Sequence, residues 1–421
     1  MFTFLHAADI HLDSPLVGLE RYGDAPVDEL RGASRRAFKN LVDLAIEEHV
    51  AFVVLAGDIY DGDWKDYNTG LFFIAQVARL KAHDIPVYML AGNHDAANQF
   101  SKSLHLPGNV SRFSTAQPET FLLDDHNVAL HGRGFPARAV SDNLAASYPP
   151  AIAGRFNIGV LHTSLDGREG HASYAPCSLD GLRSKHYQYW ALGHVHQQEE
   201  VSHDPWVVFP GNIQGRHVRE TGPKGCSLVT VADGEVSGVD NRPLDVFRWN
   251  HCRIDLSGLT TEGAVLDRVG EALNAELAAS DGRCLAVRVE LSGRTATHTA
   301  CMAHPEQWEQ ELRALAIDRC GESVWLEKVV IRTTPDPPPG ASGSSGDTFE
   351  GPNGVLEFIG NGDGELLGYL SREFTELRGK LPAELVGPDV QDPLDPTSPS
   401  VLKEVAEQAR QLLVARLSSQ E

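Results

Sequence analysis

Along the first half of the chain, five short apolar runs each stop at a polar residue of a type that binds metals. Phe4 to Ala8 leads into Asp9 and His11, Phe52 to Ala56 into Gly57-Asp58, and Val87 to Ala91 into Gly92-Asn93-His94-Asp95. Ile158 to Leu161 leads into His162, and Tyr189 to Leu192 into Gly193-His194-Val195-His196. Runs of this length, bounded by Gly and polar residues, read as buried strands. Helical patterns lie between them. Ser34 to Glu48 sets Ala37, Phe38, Leu41, Val42 and Ala45 on one face, and Leu71 to Leu80 does something similar. The alternation predicts β-α-β units, and in open α/β sheets functional groups gather beyond the carboxyl ends of the strands.

From Val128 the strands shorten, as in Val128-Ala129-Leu130, Trp206 to Phe209 and Ser227 to Val231. The second part of the site is therefore expected on a mixed or antiparallel sheet packed against the first. With residues 1–246 forming this unit, 247–334 read as a separate small α+β unit. Its expected strands lie near Arg253 to Leu256, Leu285 to Leu291 and Val324 to Ile331, and its helices over Val265 to Leu277 and Gln307 to Ala316. Residues 335–348 are rich in Pro, Gly and Ser and read as a flexible linker. The tail, 349–421, is expected to be helical. It carries an apolar stripe of Leu366, Leu367, Leu370, Phe374 and Leu377, then a last helix opened by Ser398-Pro399 and bearing Val401, Leu402, Val405, Leu412 and Leu413.

The length of 421 residues fits two or three domains, and 42% hydrophobic with 22% charged residues is ordinary globular composition. Asp9 and His11 interrupt the first apolar run and no basic leader precedes it, so no secretory signal is expected. No stretch approaches the roughly 20 apolar residues of a membrane helix. Cys177, Cys226, Cys252, Cys284, Cys301 and Cys320 form no C-x-x-C pair, and a reducing cytoplasm is the simplest compartment. The net charge of −22 changes the picture most. Non-specific affinity for a duplex comes mainly from Lys and Arg on phosphates, so a nucleic-acid substrate would need metal ions, a local Arg patch or a partner to supply the attraction.

Two carboxylates, an amide oxygen and several imidazoles suit Mn²⁺, Fe²⁺ or Zn²⁺ better than Ca²⁺, which prefers oxygen alone. Asp9 and His11 lie two apart, so on an extended backbone both side chains would face the same way, as would those of His194 and His196. Asp58 stands alone at its strand end, as a carboxylate shared by two ions should, while Asn93 adds a neutral oxygen and His162 completes the second site. Two ions about 3.5–4 Å apart activate water and clamp phosphoryl oxygens. His94 is then a candidate to protonate the leaving oxygen, with Asp95 orienting its imidazole. A lone D-x-H or GNHD could be a turn; five such ends in order are hard to reconcile with coincidence. His6, His49, His83, His105, His126, His131, His203, His251, His298 and His304 read as surface or core histidines, while His171, His186 and His217 stay open.

The series Asp9-x-His11, Gly57-Asp58, Gly92-Asn93-His94-Asp95, His162 and Gly193-His194-x-His196 resembles the calcineurin-like metallophosphoesterase superfamily. Ala7 to Leu16, Tyr174-Ala175-Pro176, Tyr189 to His196 and Pro210 to His217 are similar to YhaO-type DNA repair exonucleases, relatives of SbcD. The resemblance implies an α/β fold, a four-layer α/β/β/α sandwich with a small α+β capping domain and a helical C-terminal tail. It implies one metal on Asp9, His11, Asp58 and His196, a second on Asp58, Asn93, His162 and His194, and His94 as the catalytic histidine. Where the eukaryotic and archaeal branch has a histidine three residues after the shared aspartate, this chain has Asp61.

The implied function is a DNA exonuclease dependent on two divalent metal ions, most simply Mn²⁺. It would act 3′→5′ on duplex ends in repair or recombination, with an SbcC-like or YhaN-like coiled-coil ATPase as partner, no membrane, and a homodimer compatible with this reading. Arg216, His217 and Arg219 are candidate substrate contacts within a wider rim of Arg133, Arg138, Arg168, Arg183 and Lys185. Two alternatives compete: a phosphodiesterase for cyclic nucleotides or small phosphoesters, which the acidic charge favours, and an ATPase-binding scaffold with vestigial catalysis.

Overall fold

Two six-stranded sheets, stacked face to face, carry the first unit. A computed structural model describes residues 1–14, 30–61, 67–97, 105–165, 174–336, 363–380 and 395–403, with 405, 406, 409 and 412. The chain divides into one compact unit of residues 1–250 with 283–286, and another of 251–282 with 287–421.

The first sheet comprises β1 (Phe2–Ala7), β2 (Phe52–Leu55), β3 (Val87–Met89), β4 (Val110–Arg112), β11 (Gly225–Ala232) and β12 (Glu235–Pro243), in the order β12-β11-β1-β2-β3-β4. Strands β1 to β4 run parallel, so the ends of the first three apolar runs emerge on one edge. The second sheet comprises β5 (Glu119–Leu123), β6 (Val128–Gly132), β7 (Phe156–His162), β8 (Tyr189–Gly193), β9 (Glu199–His203) and β10 (Trp206–Phe209), in the order β5-β6-β7-β8-β10-β9. Its inner pairs β6/β7, β7/β8 and β8/β10 are parallel and its edges antiparallel, so it is the mixed sheet expected. One expectation changes. The Ser227–Val231 run returns to the first sheet, pairing antiparallel with β1 through Leu5 and Leu228.

Alternation along the strands sorts the core into three layers of side chains. Leu5, Ala7, Val53 and Leu55 pack against the Ala33–Glu47 helix through Ala37, Phe38, Leu41, Val42 and Ala45, and against Phe73, Val77 and Leu80 of the Tyr67–Lys81 helix. Phe4, Phe52 and Val54 face the other way, onto Ile158, Val160, Tyr189 and Ala191 of the second sheet. The outer face of that sheet, with Leu161, Trp190, Leu192, Val207 and Phe209, is covered by Leu144, Tyr148 and Leu182. This is the four-layer α/β/β/α sandwich.

His6 occupies the intersheet layer and is fully buried. Its Nε2–H donates to the Leu192 carbonyl at 3.0 Å, which leaves Nδ1 to accept from the Tyr189 hydroxyl, also at 3.0 Å. The neutral ring thus links β1 to β8.

A three-stranded sheet, most of whose residues belong to the second unit, comprises β13 (Phe247–Asp255), β14 (Cys284–Thr295) and β15 (Val324–Pro335), in that order. Thr261 caps the Glu262–Ala278 helix through its side chain, and Pro305 opens the Pro305–Cys320 helix, which packs on β15 and on the first helix. Arg288 on β14 pairs in bidentate fashion with Glu327 on β15, at 2.8 and 2.7 Å. A helix over Asp363–Lys380 follows, with Tyr369 and Leu377 exposed, and another turn begins at Pro399. Most of the 335–348 segment lies outside the described residues. None of the described helices is long and apolar enough to cross a membrane.

The His6 bridge predicts acid sensitivity. Burial is the dominant cause and holds the imidazole near 3, against 6.5 for the free group. Between those values the unfolded chain takes up a proton that the folded chain refuses, so stability falls as pH drops below 6.5. At pH 5 the cost is about 2 kcal/mol by the linkage relation. Urea melts of metal-stripped protein at pH 7 and pH 5 should show a loss smaller by about that amount in His6→Gln than in the parent. Equal losses would rule His6 out as the sensor.

Candidate metal centre

The loops beyond β1 and β2 are bound to each other, which fixes the first three polar residues. Asp9 N–H donates to the Gly57 carbonyl at 3.1 Å, His11 N–H to that of Asp58 at 3.0 Å, and Leu12 N–H to that of Ile59 at 3.0 Å. The backbone here is not extended as the D-x-H spacing suggested. Asp9, His11 and Asp58 all have left-handed φ of 51°, 45° and 52°, and His194, just past β8, has φ 100°. Such conformations cost on the order of 1–3 kcal/mol each for residues with a Cβ. They turn the side chains back over the sheet ends instead of letting them alternate.

The result is a buried cluster of acceptor atoms. Ligand atoms of Asp9, His11 and His196 lie within 4.8 Å of one another, as do those of Asp9, Asp58 and His162, and those of His11, Asp58 and His94. His162 Nε2 is 3.3 Å from Asp58 Oδ2 and 2.9 Å from Asn93 Oδ1. His11 Nε2 approaches His196 Nε2 at 3.3 Å, and His196 Nε2 lies 3.6 Å from Asp9 Oδ1. The His194 ring stands edge-on to His162 with centroids 5.2 Å apart, and its backbone N–H donates to Asp9 Oδ2 at 2.9 Å. All seven residues expected as ligands are thus gathered at the same strand ends.

The donor set fits divalent cations. His162 Nδ1 must carry a proton, because it meets the Ala56 carbonyl at 2.9 Å. Its Nε2 lone pair then faces two oxygens that have no proton to give. Asp9 Oδ1 is buried without a hydrogen-bond partner. Buried acceptors facing one another are unfavourable until a cation sits among them. In the metal-free chain, protons take that part. Burial pushes His162 and His196 down, but the charges of Asp58 on His162 and of Glu220 on His196 outweigh it and raise both to about 9. His11 and His194, where burial wins, are depressed to about 4 and about 3.

Two carboxylates aim the imidazoles. Glu220, which the sequence reading missed, accepts from His196 Nδ1 at 2.7 Å, leaving Nε2 for the cluster. Asp61 Oδ1 meets His94 Nδ1 at 2.6 Å. That corrects the expectation for Asp95. Its carboxylate instead receives the backbone N–H groups of Ile59, Tyr60 and Gly92, at 3.0–3.2 Å, and so ties the β2 loop to the Asn93–Ala97 turn. Burial, with the Asp58 charge, raises the Asp95 carboxyl to about 6. Burial pushes His94 down, and the charges of Asp58 and Asp61 outweigh it, leaving the ring above its ordinary value.

Of the candidate substrate contacts, Arg216 points NH1 at Asp61 and NH2 at Glu220, both at 3.4 Å. His217 and Arg219 are exposed, with His217 Nε2 3.6 Å from Glu220. Arg183 donates to the Asp204 carbonyl and pairs with Asp180, and Lys185 donates to the carbonyls of Ala146 and Tyr148. Arg168 and His171 lie outside the described residues.

Residues 2–198 match the model of the calcineurin-like phosphoesterases, and 249–334 that of the middle domain of metallophosphoesterase YhaO. The chain is 36% identical over 276 residues to "Uncharacterized metallophosphoesterase YhaO" of Bacillus subtilis, covering 65% of this chain and 67% of that one. It is 24% identical over 255 residues to the "DNA double-strand break repair protein Mre11" of Thermoplasma acidophilum, covering 55% and 63%. The protein of that name from Sulfurisphaera tokodaii is 22% identical over 275 residues, covering 61% and 67%.

The close packing behind the cluster makes Gly92 a sensitive point. A Cβ there would lie 2.2 Å from Asp58 Oδ1 and 2.7 Å from the Asp58 backbone nitrogen. Overpacking of this kind costs about 1–3 kcal/mol, and here the atom displaced belongs to the Asp58 carboxylate within the cluster. Gly92→Ala should therefore lower the thermal midpoint and weaken Mn²⁺ binding, measured by calorimetric titration. A variant matching the parent in both would contradict this packing.

Proposed function

Because the chain belongs to the calcineurin-like metallophosphoesterases, we propose that it hydrolyses DNA phosphodiester bonds as a Mn²⁺-dependent exonuclease, working 3′→5′ from duplex ends. The observation that carries the reading is the buried set of carboxylate and amide oxygens and imidazole nitrogens, from Asp9, Asp58, Asn93 and the histidines, gathered at the ends of β1, β2, β3, β7 and β8. In this reading Asp9, His11, Asp58 and His196 would hold one ion, and Asp58, Asn93, His162 and His194 a second. Bound there, two divalent cations supply an activated water and neutralise charge on the phosphoryl oxygens.

The chain's own residues do the rest. His94 Nδ1 is committed to Asp61, so Nε2 is the atom that can deliver a proton to the leaving oxygen. Burial pushes the ring down, but the charges of Asp58 and Asp61 outweigh it, so the ring holds its proton more firmly than a free imidazole does. Glu220 keeps Nδ1 of His196 protonated and so fixes which nitrogen faces the cluster.

DNA as substrate is supported by the relatives named as double-strand break repair proteins. The net charge of −22 favours a second reading, a phosphodiesterase for small phosphoesters. Linear duplex and a small chromogenic diester, each assayed with Mn²⁺, separate them. Shortening of the duplex from its ends at a rate comparable to diester hydrolysis supports the nuclease. Diester hydrolysis with the duplex untouched overturns it.

A coiled-coil ATPase of the SbcC or YhaN kind is proposed as the partner that grips the duplex. The Asp363–Lys380 helix, with Tyr369 and Leu377 exposed, offers an apolar surface for it.

Two variants test the assigned roles. Asp58→Asn should reduce Mn²⁺ stoichiometry and lower turnover by orders of magnitude, because two close cations need the negative charge between them. Full occupancy of both sites would end the shared-ligand assignment. His94→Asn should retain both ions while slowing diester cleavage by about 10²–10⁴-fold. The loss should shrink on a substrate whose leaving group needs no proton, and an equal loss on both would make His94 a binding residue.

A further inference from the structure

We infer that Arg216 is a positioning residue, clamping Asp61 and Glu220 so that His94 and His196 keep their aim. Asp61 and Glu220 lie far apart in sequence, yet each holds an imidazole of the cluster by its Nδ1, and His11 Nδ1 lies 3.7 Å from the same Asp61 oxygen as His94. Arg216 is what joins them. Its NH1 lies 3.4 Å from Asp61 Oδ2 and its NH2 3.4 Å from Glu220 Oε1, while its backbone N–H donates to Glu220 Oε2 at 2.7 Å. NH2 also lies 3.3 Å from His196 Nδ1, because both nitrogens direct their protons at the same Glu220 oxygen.

The other contacts of the two carboxylates complete the clamp. The Ser14 hydroxyl donates to Asp61 Oδ2 at 2.5 Å, and the Asn212 amide to Glu220 Oε2 at 2.9 Å. Every oxygen of the pair thus has a donor, and the guanidinium is the group common to both. The arginine is turned inward: its side chain is 20% exposed, and Nε is buried with no hydrogen-bond partner. A residue serving chiefly to grip a substrate phosphate would present its N–H groups outward, whereas NH1 and NH2 here face carboxylates. A planar fork can span two acceptors in fixed geometry; a lysine ammonium on its flexible stem cannot hold both in the same way.

The clamp predicts coupling between Arg216 and the aim of the histidines. Its activity arm rests on the phosphodiesterase reading above; its metal-binding arm does not. Arg216→Met and Arg216→Lys, with Asp61→Asn and the Arg216→Met/Asp61→Asn double variant, would be compared with the parent. Mn²⁺ affinity of the metal-stripped proteins is read by calorimetric titration, and kcat and KM on the small diester by absorbance.

Loss of a group that orients a ligand typically weakens metal binding about 10–100-fold. Arg216→Met should show that loss through His196, with kcat lowered and KM changed less than about twofold. The Arg216 and Asp61 losses in kcat should fail to add in the double variant, because one acts through the other. Arg216→Lys, which keeps the charge and should melt near the parent temperature, should still bind Mn²⁺ at least about tenfold more weakly. It serves as the test if Arg216→Met does not fold. Parental Mn²⁺ affinity in Arg216→Lys, a raised KM with kcat kept, or additive losses would each overturn the clamp. A parent protein that binds Mn²⁺ but hydrolyses no diester would end the phosphodiesterase reading while the affinity measurements still decided the clamp.

Discussion

A carboxylate buried among lone pairs is the constraint on which this site depends. Asp58 is 1% exposed, its backbone is left-handed, and its Oδ2 faces the rings of His162 and His11. Its Oδ1 accepts the His94 backbone N–H, which satisfies one oxygen and turns the other toward the rings. Desolvating an anion in that position costs several kcal/mol unless positive charge comes with it. The sandwich is arranged to hold such a group still. Bonds from the β1 loop to the β2 loop set its backbone, Gly92 leaves room behind its side chain, and the Asp95 carboxylate ties the next loop to the same turn. Charges supplied from outside would complete an arrangement that the chain by itself meets with protons on His162 and His196.

What the sequence disclosed follows from what is periodic or local. The strand runs were readable because each is a short apolar stretch cut off by glycine and a polar residue, and the helix of Ala33–Glu47 because its apolar positions recur on one face. The residues of the cluster were readable because they come at those cut-off points in chain order. The loops between strand and ligand were not, because left-handed φ at Asp9, His11 and Asp58 is imposed by bonds between two loops some fifty residues apart. Reading Asp9 and His11 as extended neighbours brought the two side chains to one place for the wrong geometric reason.

Asp61 and Glu220 show the same limit from another side. An imidazole next to Asp95 in sequence was naturally assigned to Asp95, yet a residue at the third position of a helical turn reaches back to the turn's own backbone more readily than to its neighbour's ring. Asp61 stood out only as a difference from other branches, and Glu220 not at all, since nothing local distinguishes it from any acidic residue in a loop. The return of β11 to the first sheet is likewise non-local. Its apolar run would suit either sheet, and only the pairing with β1 decides.

The charge problem raised by composition becomes sharper in three dimensions. Arg216 is turned onto Asp61 and Glu220, Arg183 onto Asp180 and the Asp204 carbonyl, and Lys185 onto two carbonyls, so much of the expected basic rim is engaged within the fold. Cations held between Asp9, Asp58 and the histidines would form a positive focus in an acidic molecule, and attraction to phosphate outside it would be short-ranged, falling away within a Debye length of about 8 Å in physiological salt. A focus so confined distinguishes one phosphate from its surroundings but does little to gather a long polyanion. On the proposed reading, duplex capture at a distance would fall to a basic surface other than this cluster, such as one on the proposed partner.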